Sequence, residues 1–341
     1  MKLIIDCMGG DKGVAEVLGG VVAAKAEFGG EYLLVGNQTE IAAVAAERGY
    51  DLGAFEILHT DVSIVMEDEP MTVMKEKKNS SMSLGLRALA DGQGDAFVSC
   101  GNTGALFCGA SLTVRRIKGV HRAAIAAVLP FTPPVLLLDA GANVTVQPEF
   151  LVQFAAMGSA YMKALYGLEN PRVGLLNNGA ESHKGTPLQT EAYKLLSDAE
   201  GIRFVGNVEG GNLPNNACDV VVTDGFTGNV TLKTIEGLGK LFMKRMKGIF
   251  YANFMTKLAG SIVRKPLGQF KKDFDVSEHG GSPILGLRKP VIKAHGSSDA
   301  RAIRSAIRQA IRYAEGNIIA SVEATLAAPK APEKTPNRKE E

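Results

Sequence analysis

Residues 217–229 read Ala217-Cys218-Asp219-Val220-Val221-Val222-Thr223 and then Asp224-Gly225-Phe226-Thr227-Gly228-Asn229. A β-branched run bounded by turn formers reads as a strand buried on both faces, and the polar segment after it opens onto a helical pattern. Gly225 and Gly228 let a ligand approach the backbone, and the free N–H groups at the start of a helix attract an anion. A phosphate fits such a place. The same phrase returns along the chain. It occurs as Leu3-Ile4-Ile5-Asp6 before Gly9-Gly10-Asp11, Tyr32 to Val35 before Gly36-Asn37, and Ala96 to Ser99 before Gly101-Asn102-Thr103-Gly104. It occurs again as Val135 to Leu138 before Asp139 to Asn143, Val173 to Leu176 before Asn177-Asn178-Gly179, and Val291 to Ala294 before His295-Gly296-Ser297-Ser298. Strands alternating with helical stretches predict a doubly wound α/β/α fold with a largely parallel sheet. In such a sheet the loops that follow the strands emerge at one edge, so these Gly/Asn loops are expected to converge on one cleft.

Beyond Asn229 the chain changes character. From Lys233 to Lys272 it holds ten Lys or Arg against one acid, Glu236, although the whole chain carries a net charge of only +2. Positive charge is therefore concentrated in one arm, about 233–272. Within it Phe250, Phe254, Leu258 and Ile262 recur every fourth residue, which predicts one face of a helix. A basic helix with large apolar residues suits a membrane interface, a partner's groove or a dimer contact, and an ordinary core helix with a solvated basic face carries the same pattern. Pro266 and the glycines at 248, 260 and 268 break the arm into pieces, consistent with a projecting helical hairpin.

Composition narrows the classes. At 341 residues and 45% apolar, the chain can bury a large core. Its near-neutral charge argues against nucleic-acid binding. The four cysteines, Cys7, Cys100, Cys108 and Cys218, show no CxxC spacing and read as small buried residues rather than zinc ligands or disulfides. Reduced thiols, and a Met1 that leads straight into a strand pattern, imply a cytoplasmic protein. The longest apolar run, Ala123 to Leu138, is cut by Pro130, Pro133 and Pro134, so any membrane contact is expected to be peripheral. The Pro/Lys/Glu-rich segment 329–341 reads as a disordered tail after a single catalytic domain, 1–328.

Several chemistries lack their motif. Met8-Gly9-Gly10-Asp11-Lys12-Gly13 does not have the spacing of a dinucleotide fingerprint, and no GxxxxGK[ST] or G-x-S-x-G occurs. Asn79 and Ser80 are placed to cap a helix over 82–90 and offer its N–H groups to an anion. Glu181-Ser182-His183-Lys184-Gly185-Thr186 is the densest titratable cluster beyond a strand, though a capped surface turn reads the same way. What remains is a cleft of small polar loops with a few cations, suited to an oxyanion and a polarised carbonyl, with no cofactor implied. Acyl transfer to phosphate needs positioning more than a protein nucleophile.

Taken in order, Asp6-Cys7-Met8-Gly9-Gly10-Asp11, Ser99 to Ala105, Leu138 to Asn143, Leu175 to Glu181, Asp224 to Asn229 and His295 to Ser298 resemble the PlsX family over nearly all of residues 1–328. These are bacterial acyl carrier protein:phosphate acyltransferases of phospholipid synthesis. The resemblance implies reversible transfer of a long acyl chain from the carrier thioester to inorganic phosphate. It also implies a homodimer, a fold related to phosphotransacetylases and to isocitrate and isopropylmalate dehydrogenases, and delivery of product to a membrane glycerol-3-phosphate acyltransferase.

On that basis Lys184 and Asn229 are the expected catalytic residues, near phosphate or the thioester oxygen. Asp6, Gly9 and Gly10, then Asn79 and Ser80, then Gly101, Asn102, Thr103 and Gly104 are expected around the substrates. So are Asn143, then Asn177, Asn178 and Gly179, then Asp224, Gly225, Thr227 and Gly228, and finally His295, Gly296 and Ser297. Phe250, Phe254, Leu258 and Ile262 are expected at an anionic membrane surface or along an acyl route. The rival readings are a short-chain acyl coenzyme A:phosphate transferase, a metal-dependent hydroxyacid dehydrogenase and a non-catalytic membrane-associated scaffold.

Overall fold

Each strand–helix phrase folds as a βα unit, and the units share one sheet. The computed structural model describes residues 1–263 and 280–327. The first half comprises β1 (Lys2–Asp6), α1 (Gly13–Phe28), β2 (Glu31–Gly36), α2 (Gln38–Arg48), β3 (Glu56–His59), α3 (Ser81–Ala90), β4 (Ala96–Ser99) and α4 (Thr103–Thr113). A hairpin of β5 (Ala124–Leu129) and β6 (Val135–Leu138) leads into α5 (Pro148–Tyr166), β7 (Arg172–Asn177), α6 (Pro187–Ser197), β8 (Arg203–Glu209) and β9 (Val220–Val222). Then follow α7 (Gly225–Phe250), α8 (Phe254–Ile262), β10 (Ser282–Leu285), β11 (Val291–Lys293), α9 (Ala300–Glu315) and α10 (Ile318–Ala327).

The strands form one 11-stranded sheet in the order β3-β2-β1-β4-β11-β10-β5-β6-β9-β7-β8. Side-chain alternation along each strand feeds two cores. Leu3, Ile5, Leu136 and Leu138 join α1, α5 and α9 through Val21, Phe154 and Ile303. Ile4, Leu137 and Val221 face the other way and meet α3, α4 and α7 through Leu86, Leu106 and Leu232. Helices therefore cover both faces, as the strand–helix alternation predicts.

The sheet is not parallel throughout. β10 is antiparallel to both β11 and β5, and β5 is antiparallel to β6. Consequently β3, β2, β1, β4 and β11 run one way while β6, β9, β7 and β8 run the other. The expectation of a single edge for all the loops needs correction, because they leave the sheet at two opposite edges. The sequence reading misses β5, since an Ala-rich run closed by prolines lacks the Gly/Asn loop that marks the other strands. Half-buried β3 and β8 lie at the sheet's two edges and carry weak patterns for the same reason.

The polar stretch 224–229 is not a loop. Asp224 caps α7 by accepting the Thr227 N–H at 2.8 Å, and the helix begins at Gly225. The arm also departs from expectation. Phe250 ends α7, Asn253 caps α8, and so Phe250, Phe254 and Leu258 do not lie on one continuous helix. Phe250 turns inward, where a Cβ on Gly260 of α8 would stand 3.1 Å from its own Cβ, while Phe254 and Leu258 are 79% and 54% exposed. The Ile262 side chain and residues 264–272 of the arm fall outside the described residues, as does the tail 329–341.

The start of α7 is wedged against β6. A Cβ on Gly228 would lie 1.9 Å from the Asp139 carbonyl oxygen, so only glycine lets this helix descend onto the strand end. We expect Gly228→Ala to destabilise the protein by about 3 kcal/mol or more in urea unfolding. Gly237→Ala, on the same helix with open space around it, should be neutral or slightly stabilising.

Candidate active site

Two polar groups form where the two sets of strands end. The first is built on Asp6, the last residue of β1. Its buried carboxylate accepts from the Ser81 hydroxyl at 2.7 Å and the Ser99 hydroxyl at 2.6 Å. Burial pushes its pKa up, and the two serines oppose that shift. Ser99 in turn accepts the Gly101 N–H at 3.0 Å, which fixes the turn into α4. Asn102 caps α4 through the Ala105 N–H, and its amide donates to the Met66 and Asp68 carbonyls at 2.9 Å, pinning segment 65–68 over the turn. Gly9 and Gly10 pack against this structure. A Cβ on Gly9 would meet the Gly101 nitrogen at 2.6 Å, and one on Gly10 the Cys100 sulfur at 2.7 Å. Ser80 caps α3 as expected, whereas Asn79 is exposed and bonds its carbonyl to Thr60. Thr103 is exposed in the first turn of α4 and Gly104 is half-buried beside Pro70.

The β11 end completes this group. The Gly296 carbonyl accepts the Asp11 N–H at 2.8 Å, and Ser297 donates its N–H to His295 Nδ1 at 3.2 Å. With Nδ1 accepting, the neutral imidazole carries its proton on Nε2. Partial burial and the neighbouring Lys233 and Lys293 charges hold the His295 pKa below its usual value, so the ring is neutral near pH 7 and Nε2–H is a donor.

The second group is built on Asp139, just past β6 and fully buried. One carboxylate oxygen accepts the Ile125, Gly141 and Ala142 N–H groups, each at 3.1 Å, and the other accepts the Asn143 N–H and side-chain amide at 2.6 and 2.8 Å. Burial raises its pKa despite these donors. The Asn143 carbonyl receives the Gly225 N–H at 2.7 Å, and the Asn229 amide donates to the Ala140 carbonyl at 3.1 Å. Thr227 is spent on Asp224. Much of the polarity expected of Asn143, Asp224 and Thr227 thus holds the backbone of this corner together.

Lys184 stands on an exposed turn after β7, at the same edge as Asp139. Its carbonyl accepts the Asn177 amide at 3.1 Å, its stem passes over Gly179, and exposed Asn178 donates its N–H to Asn177. Among the described residues no hydrogen bond or ion pair joins Lys184 to Asn229.

Helix α7 links the two groups. Asn229, Lys233, Glu236 and Lys240 lie at i, i+4, i+7 and i+11, hence on one helix face. The first touches the Asp139 corner, while the other three all act electrostatically on His295. The loops that leave opposite edges are thereby brought to one cation-bearing helix face.

Sequence reasoning missed Ser81, Ser99 and Lys293. The two serines sit within apolar stretches and gain meaning only when β1, β4 and α3 are adjacent. Lys293 looks like an ordinary strand residue, yet it is buried at the sheet centre. Of the cysteines, Cys7, Cys100 and Cys218 are buried and Cys108 half-buried, all with free thiols. Burial pushes Cys100 and Cys218 up to about 12, which suits packing and not nucleophilic attack. Among the described residues no cluster of His, Cys, Asp and Glu is arranged to hold a metal ion, and no helix is long and apolar enough to cross a membrane.

The family described as fatty acid synthesis protein matches residues 1–321. The chain belongs to this family. The phosphate acyltransferase of Acetivibrio thermocellus is 45% identical over 307 residues, covering 89% of this chain and 90% of the relative. That of Bacillus subtilis is 42% identical over 306 residues, covering 89% and 91%. The resemblance to PlsX is borne out. A phosphotransacetylase from Streptococcus pyogenes superposes with a TM-score of 0.57 at 16% identity over 95% of this chain and 94% of its own. A 4-hydroxythreonine-4-phosphate dehydrogenase from Klebsiella pneumoniae gives 0.54 at 12% identity, covering 92% and 100%. These two likenesses are of fold, and they match the fold the family resemblance implies.

Ser99 joins Asp6 to the Gly101 turn, so Ser99→Ala strands a buried carboxylate oxygen and a backbone N–H together. We expect a loss of about 2–3 kcal/mol in urea unfolding at pH 7. A loss below about 0.5 kcal/mol would show that the turn is held without it.

Proposed function

We propose that this protein transfers a long fatty acyl group from acyl carrier protein to inorganic phosphate, yielding acyl phosphate for phospholipid synthesis. The observation that carries this reading is the 42–45% identity to phosphate acyltransferases across about nine tenths of the chain. A phosphate oxygen attacks the thioester carbonyl, the C–S bond breaks, and the thiolate leaves and takes up a proton. No protein nucleophile is required, in keeping with buried, high-pKa thiols. The protein supplies position and donors for the tetrahedral oxyanion. Lys184 and Asn229 take the catalytic roles, with N–H groups from the turns at 101–104, 177–179 and 295–297 around them.

The protein works in the cytoplasm as a homodimer and meets an anionic membrane through the α7–α8 hairpin. Exposed Tyr251, Phe254, Met255 and Leu258 at the turn of that hairpin, beside Lys244, Arg245 and Lys247, support this. Val230, Leu238 and Leu241, exposed on the side of α7 opposite buried Gly228 and Leu232, suit a subunit contact. A membrane glycerol-3-phosphate acyltransferase would then receive an amphiphilic product at the surface.

Purified protein mixed with palmitoyl-loaded acyl carrier protein and phosphate should give acyl phosphate, trapped as a hydroxamate, and none without phosphate. Product only from acetyl coenzyme A would overturn the long-chain reading. Lys184→Ala should lower turnover about 100-fold; near-normal turnover removes it from the chemistry. Replacing Phe254 and Leu258 with Glu should abolish flotation with phosphatidylglycerol vesicles while leaving turnover in solution intact, and unchanged flotation would move the membrane contact elsewhere.

A further inference from the structure

Lys293 is the one Lys or Arg that is buried among the described residues, with 9% of its surface exposed. Burying an ammonium costs several kcal/mol unless an opposite charge meets it. Here none does. Its Nζ donates a hydrogen bond to the Ala294 carbonyl, and it forms no ion pair among the described residues. The carboxylate of Asp6 lies in its field, but both oxygens already accept from Ser81 and Ser99. Asp11 acts on it more strongly than Asp6 does, yet forms no ion pair with it among the described residues.

A second cation faces the same point. Lys233 on α7 acts on Lys293 and on His295, so two ammonium groups and an imidazole donor surround the ends of β1, β4 and β11. Lys233 is half exposed and pairs with Glu236 at 2.9 Å, so the uncompensated cost is the burial of Lys293. Burial, partly offset by Cys100 and Asp11 and reinforced by Lys233, brings the Lys293 pKa down to about 8. A compact dianion beside Lys293 would offset that cost. Gly9 and Gly10 press against Gly101, Cys100 and the Gly296 carbonyl, and the Met66 and Met82 side chains and the Asp11 carboxylate close in on Gly296 and Gly101.

We propose that Lys293, with Lys233 opposite, seats the phosphate substrate at the ends of β1, β4 and β11. This rests on the acyltransferase reading and sharpens it. The nucleophile enters from the Asp6 side, which leaves Asn229, one turn before Lys233 on α7, facing the thioester. Lys293 touches the phosphate and is a binding residue, not an acid or base.

Steady-state kinetics with phosphate and acyl carrier protein thioester varied separately test this, alongside calorimetric titration of the full chain with inorganic phosphate alone. Lys293→Met and Lys233→Gln should each raise KM for phosphate by about 10- to 100-fold. The KM for the acyl donor should stay within about twofold, and the heat of phosphate binding should vanish for Lys293→Met. Lys293→Arg should retain phosphate binding. In the unmodified protein phosphate binding should weaken as pH rises through about 8, the value at which Lys293 loses its proton. Lys293→Arg, which stays charged, should lose that pH dependence.

The titratable groups facing Lys293 are Asp6, Asp11, Cys100, His295 and Lys233, the last paired with Glu236. Lys233→Gln, on the helix surface, decides the matter if Lys293→Met fails to fold by circular dichroism. An unchanged phosphate KM in Lys233→Gln and in folded Lys293→Met, or a fall confined to kcat, overturns the proposal. A protein that binds phosphate through Lys293 but turns over no acyl donor would sink the acyltransferase reading and leave the phosphate seat standing.

Discussion

The antiparallel insertion at the middle of the sheet governs everything else in this molecule. Had β10, β5 and β6 continued the parallel order, every βα turn would emerge on one side, and a single row of helix N-termini would make the site. The three reversals put the Asp6 turn and the Asp139 turn at opposite edges instead. The element that restores proximity is α7, which starts at the Asp139 corner and runs back toward the β11 end. Its descent onto β6 requires glycine at 228, so a single backbone contact sets where Lys233 arrives.

The two half-sheets solve one local problem in the same way. Each ends a central strand in a buried Asp whose charge is met by donors from the adjoining turn, hydroxyls and backbone N–H groups at Asp6, backbone and one amide at Asp139. Burial works against both carboxylates, and the fixed donors offset it. Such a network rigidifies a loop because its members have no alternative partners in the dry interior. The turns proposed to surround the substrates are thus held in place by these two carboxylates.

Much of this was legible in the chain. Val135 to Leu138 and Ala96 to Ser99 form strands with the expected bounds, because a continuous apolar run ended by Gly, Asn or Asp has few other readings. The cap at Ser80 is legible in the chain, whereas Asn102 and Asp224, which read as loop residues, cap α4 and α7 in the same way. Direction was not legible. Nothing in Ala124 to Leu129 tells whether it pairs parallel or antiparallel, since burial on both faces erases the alternation that would separate the two. Nor does Lys293 announce itself, because a lysine in a strand is ordinarily at a rim. Its meaning depends on neighbours 60 to nearly 300 residues away in sequence, Lys233 and Asp6. The break at 251–253 was hidden by a four-residue repeat that runs through it, so periodicity alone joined two helices that Asn253 separates.

Helix α7 also explains why the positive charge is concentrated where it is. A helix has room for several faces, and this one uses three. Gly225, Gly228 and Leu232 face the core; Asn229, Lys233 and Lys240 face the strand ends; Val230, Leu238 and Leu241 face outward. Farther along, Lys244, Arg245 and Lys247 have left the sheet and stand exposed on the hairpin. A single stretch of basic sequence therefore presents its charge at two depths. Near the sheet Lys233 is half exposed and paired with Glu236, and its charge acts at short range on His295 and Lys293. On the exposed hairpin the same charge is screened within roughly 8 Å at physiological salt and is useful only summed over a large anionic surface. High salt should separate the two, weakening the proposed surface attachment well before it disturbs the charge at Lys293.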